Sequence, residues 1–127
     1  MDPAAQFFVK QQADRYERDC ESAIQRVRRA ATMWDVKRAA HVTAHPVIRG
    51  VRLHLAGAGR QLAREAEKRM EALLDEQLKE AAALTDLEAR KAFLGQLRHR
   101  EWDALRGDFA SLYRKADIEG QRLLAKP

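Results

Sequence analysis

Nine Arg and Lys side chains, Arg26, Arg28, Arg29, Lys37, Arg38, Arg49, Arg52, Arg60 and Arg64, share the stretch from 26 to 64 with a single acid, Asp35. Guanidinium groups meet phosphate or carboxylate with a rigid fork of donors, so the chemistry on offer is anion recognition. The flanks carry a slight acidic excess, and the whole chain returns to a formal charge of +5 with a pI near 9.7. Eight of these residues are the candidate binding set for an acidic protein surface or a nucleic acid: Arg26, Arg29, Lys37, Arg38, Arg49, Arg52, Arg60 and Arg64.

Other reactive residue types are sparse and poorly spaced for catalysis. His41 and His45 stand four apart and would share one face of a helix, as in metal-binding helices. Val42 takes the place of the glutamate such a motif needs, and no nearby acid offers a third ligand. Gly57-Ala58-Gly59-Arg60 lacks the GK[ST] ending and the preceding strand of a phosphate loop. Cys20 lies on an apolar stripe and reads as a small buried hydrophobe. Ser22 and Ser111 are the only serines, and neither belongs to a Ser/His/Asp set. The expectation is a protein with no enzymatic activity, no cofactor and no bound metal.

A chain of 127 residues forms one domain by ordinary size. Ala, Leu, Arg, Glu, Gln and Lys dominate, all good helix formers, while strand-favouring residues are scarce. An all-α fold follows. With 23 alanines and eight aromatics, its core consists of thin layers that suit close-packed helices. One cysteine allows no internal disulfide, and no 18-residue apolar run occurs. The start, Met-Asp-Pro-Ala-Ala-Gln, lacks a signal-peptide pattern, so the expected location is the cytoplasm, away from membranes. The preference for Arg over Lys is also the usage of a GC-rich, bacterial genome.

Hydrophobic periodicity sets the elements that must position the basic block. Asp2-Pro3 opens a first helix whose stripe runs through Val9, Ala13, Tyr16, Cys20, Ile24, Val27, Ala31 and Trp34. Beyond Trp34 the same register meets Arg38, His41 and His45, so the helix either leaves the core or bends near Thr32, where Thr32 to Asp35 can cap a fresh turn. Pro46 closes this helix. From there Val51 to Leu55 alternates like a strand, but Ile48, Val51, Leu55, Ala58, Leu62, Ala66, Met70 and Leu73 hold a longer helical period, and the helix is favoured. Thr85-Asp86-Leu87-Glu88 reads as a capping box.

The expected architecture is an elongated antiparallel three-helix bundle, with helices over about 3–44, 47–84 and 86–120. Leu53, Leu74 and Leu78 fall off the main stripe and call for another helix or a second chain, so a homodimer is the alternative. An up-down-up course would gather 26–64 at one pole. The second helix is basic early and acidic late, against its own dipole; cross-helix pairing or a partner must explain that order. Two functions are therefore held together: a helical interaction protein using the basic half, and a sequence-nonspecific nucleic-acid-binding accessory protein. The plainer alternative is a solvated face partly paired with Asp103, Asp108, Asp117 and Glu119. The core expected is Tyr16, Cys20, Ile24, Val27, Trp34, Leu62, Leu73, Leu94, Trp102, Leu105, Phe109 and Leu112.

Overall fold

The structure, a computed structural model, describes residues 2–48 and 52–126, and for 52–56 the backbone alone. Every regular element among them is helical. The chain forms α1 (Pro3–Arg29), α2 (Met33–Ala39), a 3-10 turn (Pro46–Ile48), α3 (Arg52–Ala83), α4 (Leu87–Arg100), a second 3-10 turn (Trp102–Leu105) and α5 (Ala110–Ala125). The alternating stretch at 51–55 is thus helical over its described part, Val51 lying outside the described residues.

The first and third helices expected from the periodicity are each broken in two. The Asp2 carboxylate caps α1 by accepting from the Ala5 amide at 2.8 Å. The helix stops at Arg29 because Ala30 turns extended, with φ −62° and ψ 130°, and because Arg69 donates Nε and Nη2 to the Ala30 carbonyl at 3.0 and 2.8 Å. Thr32 is extended as well, and its hydroxyl accepts from the Asp35 amide at 3.1 Å, starting α2 afresh. The stretch 86–120 is interrupted between Arg100 and Ala110 by the 3-10 turn and by Gly107, whose φ of +87° only glycine adopts without cost. The last helix then continues to Ala125. The turn after α3 sits where expected, but Asp86, not Thr85, is the cap, accepting from the Ala89 amide at 3.1 Å.

The antiparallel course is also corrected. Tyr16 lies against Gly59, Arg28 pairs with Glu65, and Arg69 reaches Ala30. Positions rise together on the two helices, so α1 and α3 run parallel. Residues 40–48 make this topology feasible by returning along α1. His45 meets the Phe8 ring edge-on at 5.5 Å, and Ile48 is fully buried. At about 48 Å by helical rise, α3 outreaches α1 and packs its far half against α4 and α5. There Lys115 pairs with Asp75 at 2.9 Å and Glu71 at 3.6 Å. Together with the Arg28–Glu65 pair, this explains why acids are tolerated along α3: cations of α1 and α5 stand opposite them.

One core runs through both halves. Cys20, Ala23, Ile24 and Val27 of α1 join Leu62, Ala66 and Met70 of α3, and Leu94, Leu97, Trp102, Leu105, Leu112, Ala116 and Leu123 continue it. The Trp102 indole donates to Gln77 at 2.9 Å, and its ring lies against Gly120. Leu74 is fully buried and Leu78 is packed against the core by the chain's own helices, so these two residues do not require a second copy. Leu53 lies outside the described side chains. Tyr16 and Phe109 are half-buried at the core edge.

Trp34 is the one expected core residue that is exposed, at 38%. The Thr32 cap resets the helical phase: Met33 and Val36 turn inward to full burial, and Trp34 turns out. Among the described residues no helix is long and apolar enough to cross a membrane.

Candidate anion-binding corner at the α1–α2 junction

The basic side chains gather where α1 ends and α2 begins, and the reason is partly local. Arg26, Arg28 and Arg29 occupy the last turn of α1, where cations favour the unpaired carbonyls of the helix end. Lys37 and Arg38 occupy the last turn of α2 for the same reason. The kink at Ala30–Thr32 folds the second set back beside the first. Arg26, Arg29, Ala30, Ala31, Asp35, Arg38 and Ala39 line one open depression of about 500 Å³.

These cations differ in what they are free to do. Arg28 is committed to Glu65 by a two-pronged contact at 3.2 and 3.1 Å. Its guanidinium holds the Glu65 carboxyl below the usual carboxylate range. Arg38 pairs with Asp35, whose carboxyl is lowered first by that arginine and then by its hydrogen bond with Thr32. Arg26 donates to the Ser22 hydroxyl at 2.9 Å. Arg26 and Arg29 face no carboxylate within salt-bridge distance among the described residues. Lys37 places its ammonium 5.4 Å from the centre of the Trp34 ring.

On the other side of α2, Trp34, Lys37, Arg38, Ala40, His41, Asp108 and Phe109 line a second depression of about 480 Å³. Arg38 borders both. The Trp34 indole donates to the Arg100 carbonyl, and Glu101 accepts from the Met33 amide at 2.9 Å. The α4 terminus thereby braces α2 from behind.

The eight sequence-predicted residues do not share one surface. Arg26, Arg29, Lys37 and Arg38 come together. Arg60 and Arg64 lie on α3, each two residues from buried Leu62, and two residues turn a helix by about 200°, so both point away from the core. Arg64 borders Glu67, Lys68, Glu71 and Asp75, a mixed-charge surface. Arg49 and the Arg52 side chain lie outside the described residues. A single basic pole required α3 to run back from the end of α1; the parallel course spreads the block along the molecule instead.

The acids expected to neutralise the block are engaged elsewhere. Asp103 pairs with Arg106 at 3.2 Å, Asp117 with Arg98 at 3.3 Å, and Glu119 with Arg122 at 2.7 Å. Only Asp108 reaches the corner. Sequence reasoning missed Trp34 as a surface residue, although the Thr32-to-Asp35 cap was its signal. It also missed Arg69, whose fork fixes the kink and whose spacing on α3 carries no hint of that role.

His41 and His45 do not share a helical face, because residues 41–45 are not helical; the His45 Nδ1 accepts from the Val47 amide at 3.1 Å. Cys20 is buried, and burial pushes its thiol up from the ordinary value, as it does the neighbouring Tyr16 hydroxyl. A protonated, enclosed thiol is a poor nucleophile. No protein-family model matches the chain, and neither a curated protein nor a solved structure shows significant similarity to it.

Proposed function

We propose that this protein is a non-enzymatic helical interaction module that binds an anionic partner through the α1–α2 corner. One observation carries the reading: Arg26, Arg29 and Arg38 line one depression, Asp35 is its only acid, and Arg26 and Arg29 face no carboxylate within salt-bridge distance among the described residues. Helix-dipole compensation accounts for cations at either helix end alone, each worth about 0.3–1 kcal/mol. It does not account for folding the two ends onto one another with the charges on the same side. The partner is an acidic protein surface. An extended nucleic-acid backbone is less well served, because Arg60 and Arg64 leave the corner and the described residues carry no continuous basic track.

The test is binding of poly-L-glutamate and of random duplex DNA at low ionic strength. The expected result is that poly-L-glutamate binds, that R26Q/R29Q/R38Q removes most of the affinity, and that R60Q/R64Q leaves most of it. Equal losses in the two variants would mean diffuse attraction by net charge and would refute a localised corner. Duplex binding that exceeds poly-L-glutamate binding and falls by about 0.9 in log K per phosphate contact for each log unit of salt would favour a nucleic-acid accessory role. The chain's own helices cover Leu74 and Leu78, so we propose the module acts as a monomer, and light scattering at twice the monomer mass would overturn that.

A further inference from the structure

The depression behind α2 has a different character from the basic one in front of it. Trp34 presents an indole whose only donor is already used by the Arg100 carbonyl, so the exposed remainder of the ring is apolar surface with no polar demand. Half-buried Phe109 arrives from the turn before α5 and Ala40 from the end of α2. The rim is cationic through Lys37, over the indole, and Arg38, with His41 beside them and Asp108 the one acid. Through Arg38 the rim continues into the Arg26 and Arg29 depression. An apolar recess beside Lys37, Arg26 and Arg29, which meet no carboxylate within salt-bridge distance among the described residues, complements a ligand that is anionic overall and carries an apolar side chain at its centre.

We propose that the Trp34–Ala40–Phe109 recess seats one large apolar side chain of an acidic peptide segment, whose flanking carboxylates lie on Lys37, Arg38, Arg26 and Arg29. This rests on the anionic-partner reading and adds the anchor. A recess of about 480 Å³ has room for one aromatic or leucine side chain with its adjoining backbone, and such a central anchor within a polar rim is how peptide-sized contacts acquire affinity. Single-stranded nucleic acid fits less well. It gains affinity by stacking successive bases on several aromatic platforms, and among the described residues Trp34 is the only well-exposed aromatic at this corner.

The experiment compares fluorescein-labelled peptides of one length, each with six carboxylates around a central Phe, Leu or Gly, with oligo-dT as the nucleic-acid arm. The Phe and Leu peptides should bind about 10-fold or more tightly than the Gly peptide, the factor expected for burying one such side chain. The Phe peptide should also change tryptophan emission. That signal belongs to Trp34, because Trp102, the other tryptophan, is 2% exposed. W34A should abolish the difference between the Phe and Gly peptides while leaving their shared weak binding. D108N removes an exposed, unpaired acid from the rim and should tighten every acidic peptide by about 2- to 3-fold, the size of a modest rim-charge effect. That gain does not depend on tolerance of the Trp34 change.

Equal affinity for the Phe and Gly peptides, with R26Q/R29Q/R38Q still weakening both, would overturn the anchor and leave the anionic corner standing. Oligo-dT binding more tightly than the Phe peptide, with Trp34 quenched, would overturn the peptide in favour of a stacked base. No binding of any probe at low salt would overturn both this inference and the anionic-partner reading.

Discussion

Removing Arg90 tests the most demanding piece of physics in the molecule. Its side chain is 6% exposed and meets no carboxylate among the described residues. Its Nε and Nη2 donate to the Leu84 carbonyl at 3.1 and 3.0 Å, and its Nη1 donates to the carbonyls of Leu123 at 2.7 Å and Lys126 at 3.1 Å. Leu84 follows α3, whereas Leu123 and Lys126 lie at the end of α5, so one guanidinium joins the negative ends of two helix dipoles. Summing four charged hydrogen bonds at about 1.5–3 kcal/mol each would overstate the loss, since the Leu84 and Lys126 carbonyls, whose bonds are part-buried, regain some water. Only the Leu123 bond is enclosed. Leaving one buried acceptor unmet costs about 1–3 kcal/mol, and losing the cation from two helix ends adds about 0.3–1 kcal/mol at each.

Arg90→Ala should therefore destabilise the fold by about 2–5 kcal/mol on those two terms. With a urea m-value of about 2 kcal/mol/M, the midpoint falls by about 1–2.5 M. Arg90→Lys should fall between the two, because one ammonium cannot span both helix ends with a planar fork. Circular dichroism at 222 nm and Trp102 fluorescence give the midpoints. An Arg90→Ala midpoint within error of the parent would refute the reasoning, showing that the desolvation cost of the buried guanidinium cancels everything it joins.

Other expectations follow from the same packing. Ile24→Ala and Leu105→Ala, at sites 5% and 0% exposed, should each cost about 2–5 kcal/mol in chemical denaturation; unchanged midpoints for both would place the core elsewhere. Gly107→Ala should lower stability by about 1–2 kcal/mol, because its φ of +87° is strained for any L side chain. Gly95→Ala, helical with open space around its Cβ direction, should raise it by about 0.5–1 kcal/mol. Arg28 holds the Glu65 carboxyl below its ordinary value, so that pair contributes stability above the unfolded pKa of about 4.3 and loses it as pH falls through the lower folded value. Arg28→Gln should flatten this part of the acid limb, and an unaltered slope between pH 5 and 3 would count against the pair.

The all-helical fold was legible because period and composition act locally. Asp2 and the turn near 84–86 show in short-range chemistry, whereas the helix expected to run to 44 ends at Ala39, ahead of Pro46. The direction of α3 was not legible, because a hydrophobic stripe reads the same whichever way its helix runs. Antiparallel neighbours are the default only when connections are short, and residues 40–48 are long enough to run back along α1. Trp34 was misplaced for a related reason: the stripe was extended through Thr32, whereas a cap restarts the phase. Leu74 was misjudged because the buried side of α3 rotates as its neighbour changes from α1 to α5. Of the candidate site, the cationic residues were visible in sequence. Their division between the corner and the outer face of α3 depended on chain direction.

The α2 helix has only seven residues, too short to persist in water unsupported. Its supports are remote in sequence: the Met33 amide is held by Glu101, 68 positions on, and the Trp34 indole by Arg100, 66 positions on. The Arg98–Asp117 contact, by comparison, closes only 19 positions. Because closing long loops costs entropy before any contact rewards it, α2 is expected to form late and to open early. Amide hydrogen exchange should find its protons less protected than those of Met70 or Leu74 in mid-α3, with opening well below the global unfolding free energy. The corner assembled on it then acts as a report on the rest of the molecule, existing only while the α4 end is folded.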